Sequence, residues 1–290
     1  MNLACVADAK CVLGEGPLWD EREGALYWVD IKAPAVWRLD PHSGETRSWP
    51  MPQPIGAIAR REHSGFVAAM KQGFAFIDLD STHIEMIARP EADRPGNRFN
   101  DGACDAMGRF WAGSMDDEEK APSGHLYRLD PNRIVTRFEA AFVITNGIRW
   151  STDNRTLYFV DSAARTVWAH AFDLAKGVLG PRKRFAQLTE ADGWPDGLCV
   201  DAEDHVWGAH WGAGRITRYR PDGTLERIVE IPAPNVTSCC FGGANFDVLY
   251  ITTARIGLSE ASLRQFPHAG GVFALTGVGV RGLASPRFAG

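Results

Sequence analysis

Long apolar runs are missing from this 290-residue chain. None approaches the ~20 residues that a helix needs to cross a bilayer, so a helix-spanning membrane protein is not expected. A basic field is missing as well. Lys and Arg number 31 against 36 Asp and Glu, a net charge of −5, which argues against nucleic acid or an anionic membrane surface as the main partner. The opening residues MNLACVADAK hold neither a basic start nor a long apolar stretch, so no signal peptide is expected. No C-x-x-C spacing occurs among Cys5, Cys11, Cys104, Cys199, Cys239 and Cys240, which removes zinc ribbons and thioredoxin-like motifs. The six are expected as buried, reduced thiols, and with them a cytoplasmic location. Helical periodicity is nearly absent; one short helix is predicted from Ser259 to Gln265, ended by Pro267.

What is present is a repeat. Short strands rich in aromatic and β-branched residues recur at Leu26–Val29, Phe66–Ala69, Arg109–Ala112, Thr156–Val160, His205–Gly208 and Val248–Ile251. Each is preceded by a segment with Gly16, Gly56, Gly102, Gly147, Gly197 or, in the sixth place, Ser238. A period of about 40–50 residues with four strands per unit marks a β-propeller. The fold expected is all-β: a six-bladed β-propeller forming a single domain over residues 1–290. The sixth unit has strands near 236–241, 248–253 and 271–275 and lacks a clear fourth. The segment Leu3–Ala9 lacks a partner of its own, and pairing it with the last blade closes the ring and covers a sheet edge.

A propeller gathers its innermost strands around a channel, so residues just before the repeated position converge. They are Glu15, Ile55, Asp101, Asn146, Asp196 and Thr237. Carboxylates crowded in a channel repel one another, and desolvation adds to the cost. A divalent cation relieves both, and an oxygen-only set suits Ca²⁺, Mg²⁺ or Mn²⁺. Turn chemistry is the competing account for Asp101, Asn146 and Asp196, because Asp-Gly and Asn-Gly are strong turn formers. It fits Glu15 less well.

The segments Leu13-Gly14-Glu15-Gly16-Pro17, Asn97-Arg98-Phe99-Asn100-Asp101-Gly102, Thr145-Asn146-Gly147 and Pro195-Asp196-Gly197 resemble the signature blocks of one family. It is the senescence-marker-protein (regucalcin), gluconolactonase and luciferin-regenerating-enzyme family. Ala233–Thr237, Phe241-Gly242-Gly243, Thr252–Arg255 and Gly270–Phe273 continue the resemblance, so it spans nearly the whole chain. The later segments look most like bacterial lactonases that open xylono- or gluconolactone. The resemblance implies one divalent cation (Ca²⁺, Mn²⁺, Mg²⁺, Zn²⁺ or Fe²⁺) held by Glu15, Asn146 and Asp196. It also implies substrate contacts from Arg98 and Asn100. A further family Glu follows a G-T-M segment; in Gly113-Ser114-Met115-Asp116-Asp117-Glu118 its best match is Glu118.

These residues suit hydrolysis of a cyclic sugar ester. A divalent ion polarises the carbonyl, Asp196 takes the proton of the attacking water, and Arg98 and Asn100 read sugar hydroxyls. No G-x-S-x-G elbow or H-E-x-x-H helix offers another route. His205 and His210 follow Asp196 and are read as core or surface residues. Trp194 and Trp211 are expected at the channel mouth, facing a sugar ring. The partner expected is a small sugar lactone, with the protein a monomer or weak homo-oligomer. The alternative is a non-catalytic calcium- or protein-binding propeller, since fold alone does not give function. A lid from Ala233–Pro234 and the Ser259 helix is a further expectation.

Overall fold

The computed structural model describes residues 1–290, the side chains of residues 139 and 140 excepted. The architecture is all-β. An N-terminal strand β1 (Asn2–Ala7) precedes five successive groups of four strands and a final group of three. The first group is β2 (Gly14–Asp20), β3 (Ala25–Asp30), β4 (Ala35–Leu39) and β5 (Thr46–Pro50). The second is β6 (Ile55–Arg60), β7 (Phe66–Met70), β8 (Gly73–Asp78) and β9 (His83–Ala88). The third is β10 (Asn97–Cys104), β11 (Phe110–Asp116), β12 (Gly124–Leu129) and β13 (Val135–Phe142). The fourth is β14 (Thr145–Trp150), β15 (Thr156–Asp161), β16 (Thr166–Asp173) and β17 (Val178–Gln187). The fifth is β18 (Trp194–Val200), β19 (Val206–Trp211), β20 (Arg215–Tyr219) and β21 (Leu225–Glu230). The last is β22 (Asn235–Gly242), β23 (Val248–Ala254) and β24 (Val272–Thr276), with helix α1 (Glu260–Gln265) between the last two.

Every group is an antiparallel meander. Strands β18 to β21 join the last group into one sheet through a single pairing, Trp211 with Asn235. Strand β1 lies antiparallel to β24, Asn2 opposite Thr276 and Cys5 opposite Phe273. Helix α1 is capped by Ser259, whose Oγ accepts from the Ser262 amide at 3.1 Å, and no residue of the helix is buried.

Burial falls across each unit. Strands β3 and β7 are buried at every position, whereas β5 and β21 are mostly exposed and β9 has no buried residue. Strands covered by a neighbouring sheet on both faces tolerate a continuous apolar run. Among the described residues the buried apolar side chains form six clusters, each between consecutive units. Tyr27 and Val29 pack with Ile58 and Met70, Val67 and Phe74 with Phe99 and Phe110, and Leu126 with Ile148 and Phe159. Tyr158 and Val160 meet Leu198 and Tyr219; Trp207 and Ile216 meet Val236 and Phe241. The sixth cluster returns to the start, with Trp28 and Leu26 against Tyr250 and Val272. The first strands of the units also touch in order, β2 to β6 and onward to β22, and β22 touches β2.

These first strands have two ends. At the finishing end a cavity of about 250 Å³ is lined by Arg149, Cys199 and Cys240 together with residues 283–286. The chain after β24 is fastened there. Phe288 is fully buried against Phe76, and Arg287 donates to Asp20 at 2.6 Å. The starting end carries the larger cavity described next.

Candidate functional site

The repeated position owes its geometry to a break in strand register. In each first strand one extra residue is squeezed in against the second strand: after Glu15 in β2, Ile55 in β6, Phe99 in β10, Asn146 in β14, Pro195 in β18 and Val236 in β22. Such bulges bend a strand and re-aim its side chains. Gly16 and Gly147 take φ of +53° and +51° there, a region that disfavours any side chain. At Gly197 the need is space, because an added Cβ would run into Ser238 on the next first strand.

The bulges bring Glu15, Arg98, Asn100, Asn146 and Asp196 to the wall of one cavity of about 530 Å³. All five are buried. Trp194 and Trp211 line it too, with Trp194 42% exposed and so at the rim. The Arg165 guanidinium lies over the Trp194 ring, 4.2 Å from its centroid.

Hydrogen bonds fix most of these groups. The Asn146 carbonyl oxygen accepts from Asn100 Nδ2 at 2.7 Å, while Asn146 Nδ2 donates to Ser162 Oγ at 3.0 Å. Ser162 in turn donates to the Pro195 carbonyl at 2.7 Å, tying this group to Asp196. Asn100 also donates to the Thr145 carbonyl at 2.7 Å and accepts from Arg98. Arg98 Nε donates to Asp117 Oδ1 at 2.6 Å, and Lys32 reaches the same oxygen at 2.7 Å. Burial works against the Asp117 charge, yet the Lys32 hydrogen bond and the Arg98 charge hold its carboxyl below the usual range.

The acids of the cavity are different. Burial first, and then the Asp101 charge, push Glu15 up to about 8. Burial, then Glu15 and Asp101, push Asp196 well above the ordinary carboxylate range. Asp196 Oδ1 is buried with no hydrogen-bond partner, and so is Oδ2 of Asp101. Asp101 lies just behind, its Oδ1 accepting from the Gly102 amide at 2.6 Å and 3.9 Å from Arg149. Buried unpaired carboxylate oxygens are costly and call for a missing partner. Two carboxylates and an amide carbonyl form an oxygen set that fits one hard divalent cation; Glu15, Asn146 and Asp196 would hold it.

Of the other residues singled out in the sequence, Glu118 stands apart. Its side chain is 73% exposed and accepts from Lys120 at 2.9 Å. The acid of that loop at the cavity is its neighbour Glu119, held at a φ of +60°. His205 turns to Glu226, 3.2 Å away, and His210 is buried against the Asp192 carbonyl at 2.8 Å. Neither histidine lines the cavity; nor do Ala233, Pro234 or helix α1, although Ile256 and Gly257 before the helix do. Ser162 and Asp117 were missed in the sequence, since both are tied to the site by bonds to residues distant in the chain, although Ser162 also lines the cavity.

The chain matches the family model described as "SMP-30/Gluconolactonase/LRE-like region" over residues 13–255. It is 37% identical to regucalcin of Xenopus laevis over 296 residues, 100% of this chain and 99% of that protein. A crystal structure of a calcium-binding protein, regucalcin, from Agrobacterium tumefaciens superposes with a TM-score of 0.94 at 30% identity, covering 98% of this chain and 96% of that one. A luciferin-regenerating enzyme gives a TM-score of 0.93 at 30% identity, with 99% of both chains covered.

Proposed function

The chain belongs to the SMP-30/gluconolactonase/LRE-like family, and from that premise we propose that it is a metal-dependent hydrolase that opens sugar lactones such as gluconolactone or xylonolactone. Family membership supports a sugar-lactone hydrolase or a calcium-binding role. The observation that favours catalysis is the open space beside the acids. A buried carboxylate oxygen without a partner, Asp196 Oδ1, borders a cavity of about 530 Å³ that also holds Arg98 and Asn100. A purely structural calcium site needs neither the cavity nor the sugar-reading groups.

We read the six units, with their cyclic packing, as blades of one propeller domain over residues 1–290, closed by β1. Glu15, Asn146 and Asp196 would hold a divalent cation, which would supply Lewis acidity toward the lactone carbonyl when bound. Asp196 takes the proton of the attacking water and passes it to the ring oxygen as the bond between that oxygen and the carbonyl carbon breaks. Asn100, held by Asn146 and Thr145, and Arg98, held by Asp117, orient the sugar hydroxyls in fixed directions. Trp194 and Trp211 cover an apolar sugar face and keep bulk water from the reacting carbon. The partner is thus a small polyhydroxylated ring, with the protein acting in the cytoplasm as a monomer or weak homo-oligomer.

Acid release from a panel of aldonolactones, measured with chelator and after adding back Ca²⁺, Mn²⁺, Mg²⁺, Zn²⁺ or Fe²⁺, tests this reading. Turnover that needs the cation is expected. Full activity in metal-free buffer, or no turnover with any lactone in the panel, overturns it.

A further inference from the structure

A second cluster of donors lies away from this cavity, where the two ends of the chain meet. Cys5 Sγ, an Asp8 carboxylate oxygen and a His268 ring nitrogen all fall within 4.8 Å of one another. They come from strand β1, the residues just after it, and the turn before β24. Local structure brings them together. The β1–β24 register shifts between Cys5 and Ala7, a bulge that re-aims the flanking side chains. Opposite, the Gly271 amide donates to the His268 carbonyl at 2.9 Å, folding the turn back. A Cβ on Gly271 would stand 3.2 Å from Cys5 Sγ, so the sulfur rests on this glycine. Asp8 offers its oxygens to different groups, with Oδ1 3.5 Å from His268 Nδ1 and Oδ2 3.4 Å from Lys10.

We propose that Cys5, Asp8 and His268 form a second metal site, for Zn²⁺ or a similar borderline cation, that clamps β1 to the turn before β24. One thiolate, one imidazole and one carboxylate are the donor types of tetrahedral zinc, and three protein ligands leave the fourth position to water. The set is chemically distinct from the oxygen-only cavity, so the two sites sort metals by softness. Asp8 binds through Oδ1 and keeps Lys10 on Oδ2. Binding releases the Cys5 thiol proton to solvent. In the metal-free protein that thiol is held protonated, first by partial burial and then by the Asp8 charge; a cation reverses the second effect. Cys5 is half-buried, while Asp8 and His268 are exposed, so the ion enters directly from solvent.

Cobalt(II) is the probe, because only a thiolate ligand produces a near-ultraviolet sulfur-to-cobalt charge-transfer band, and the oxygen-lined cavity has none to offer. The full-length protein titrated with Co²⁺ is expected to develop this band at one sulfur-bound ion per chain. Cys5→Ser is expected to lose it and His268→Ala to weaken it, with the lactone reaction unchanged in both. In the unmodified protein, alkylation of Cys5 followed by mass spectrometry is expected to slow by about tenfold once Zn²⁺ reaches ten times its dissociation constant. No band in the wild type, a band that survives in Cys5→Ser, or Cys5 alkylation indifferent to Zn²⁺ overturns the proposal. Failure of the lactonase assay alone leaves these readouts untouched.

Discussion

Asp196 and Asp201 are both buried and only five residues apart, yet they live in opposite circumstances. Asp201, just past the finishing end of β18, is saturated. It accepts from the Glu203 and His205 amides, each at 3.0 Å, from Trp207 Nε1 at 2.9 Å and from Arg218 Nε at 2.8 Å. Asp105 repeats the pattern after β10, with Trp111 Nε1 at 2.8 Å and Arg109 Nε at 2.7 Å. Asp196, at the starting end, keeps an oxygen with no partner and has its proton held by burial and by its acidic neighbours. A buried carboxylate whose lone pairs are all used fastens a turn. One left unpaired is a place where something else belongs. The two ends of the strands divide along this line, with fastening at the finishing end and an unsatisfied polar cavity at the starting end.

Exchanging each acid for its amide should separate the two roles. Asp196→Asn keeps one oxygen toward the cation and removes the base, so kcat should fall by roughly 10²–10⁴ with little change in KM or melting temperature. Steady-state kinetics on the preferred lactone checks this, and near-native kcat would remove Asp196 as the base. Asp201→Asn should do the reverse. It removes one of the three carboxylates on Arg218, which keeps Glu203 and Glu226, and turns an NH2 toward the donors that Asp201 accepts from, which should cost about 1–3 kcal/mol of stability. Denaturant unfolding would show this, while kcat of the folded fraction stays native. Equal effects of both variants on kcat would erase the comparison.

A smaller and more diagnostic effect concerns pH. In the metal-free protein Glu15 titrates at about 8, above its ordinary 4.5. The fold therefore favours the protonated acid, and that contribution is lost as pH rises from the ordinary value through about 8. A cation in the cavity removes the penalty. The rise in melting temperature on adding metal should accordingly grow from about pH 6 to about pH 9. A metal-induced shift that stays flat over this range would show that the cavity acids do not face the ion.

The smallest effects lie in substrate reading. Arg98→Ala should raise KM by roughly tenfold with metal content retained, the scale of one charge-assisted hydrogen bond. Glu118→Gln should change KM and stability hardly at all, within about 0.5 kcal/mol, as for other exposed side chains. Metal analysis beside lactone kinetics measures both. A Glu118 variant that binds lactone as poorly as the Arg98 variant would place that loop differently in the working protein.

That loop shows where sequence reading stops. Asp116-Asp117-Glu118-Glu119 offers four acids in a row, and only the family resemblance singles out Glu118. The fold sends Asp117 inward to Arg98 and Lys32, turns Glu119 to the cavity and leaves Glu118 against Lys120 in solvent. Loop residues have no period to betray their direction, and the choice is made by Arg98 and Lys32, distant in the chain. The bulge in β10 presents a similar problem. Asn100 and Asp101 are adjacent and equally polar, but Asn100 lines the cavity while Asp101 lies behind it next to Arg149.

The sequence by itself determined the strand repeat, the near absence of helix and the placing of Glu15, Asp101, Asn146 and Asp196 at one repeated position. These follow from local rules, namely alternation of apolar residues and glycine where a bulge must turn the chain. Only the tertiary structure decided which buried acids are satisfied and which are left unpaired. Satisfaction depends on donors from other strands and turns, such as Arg218 for Asp201 and Ser162 for Asn146. Local preference gives no account of those donors, because they reach their partners only when the units pack against one another.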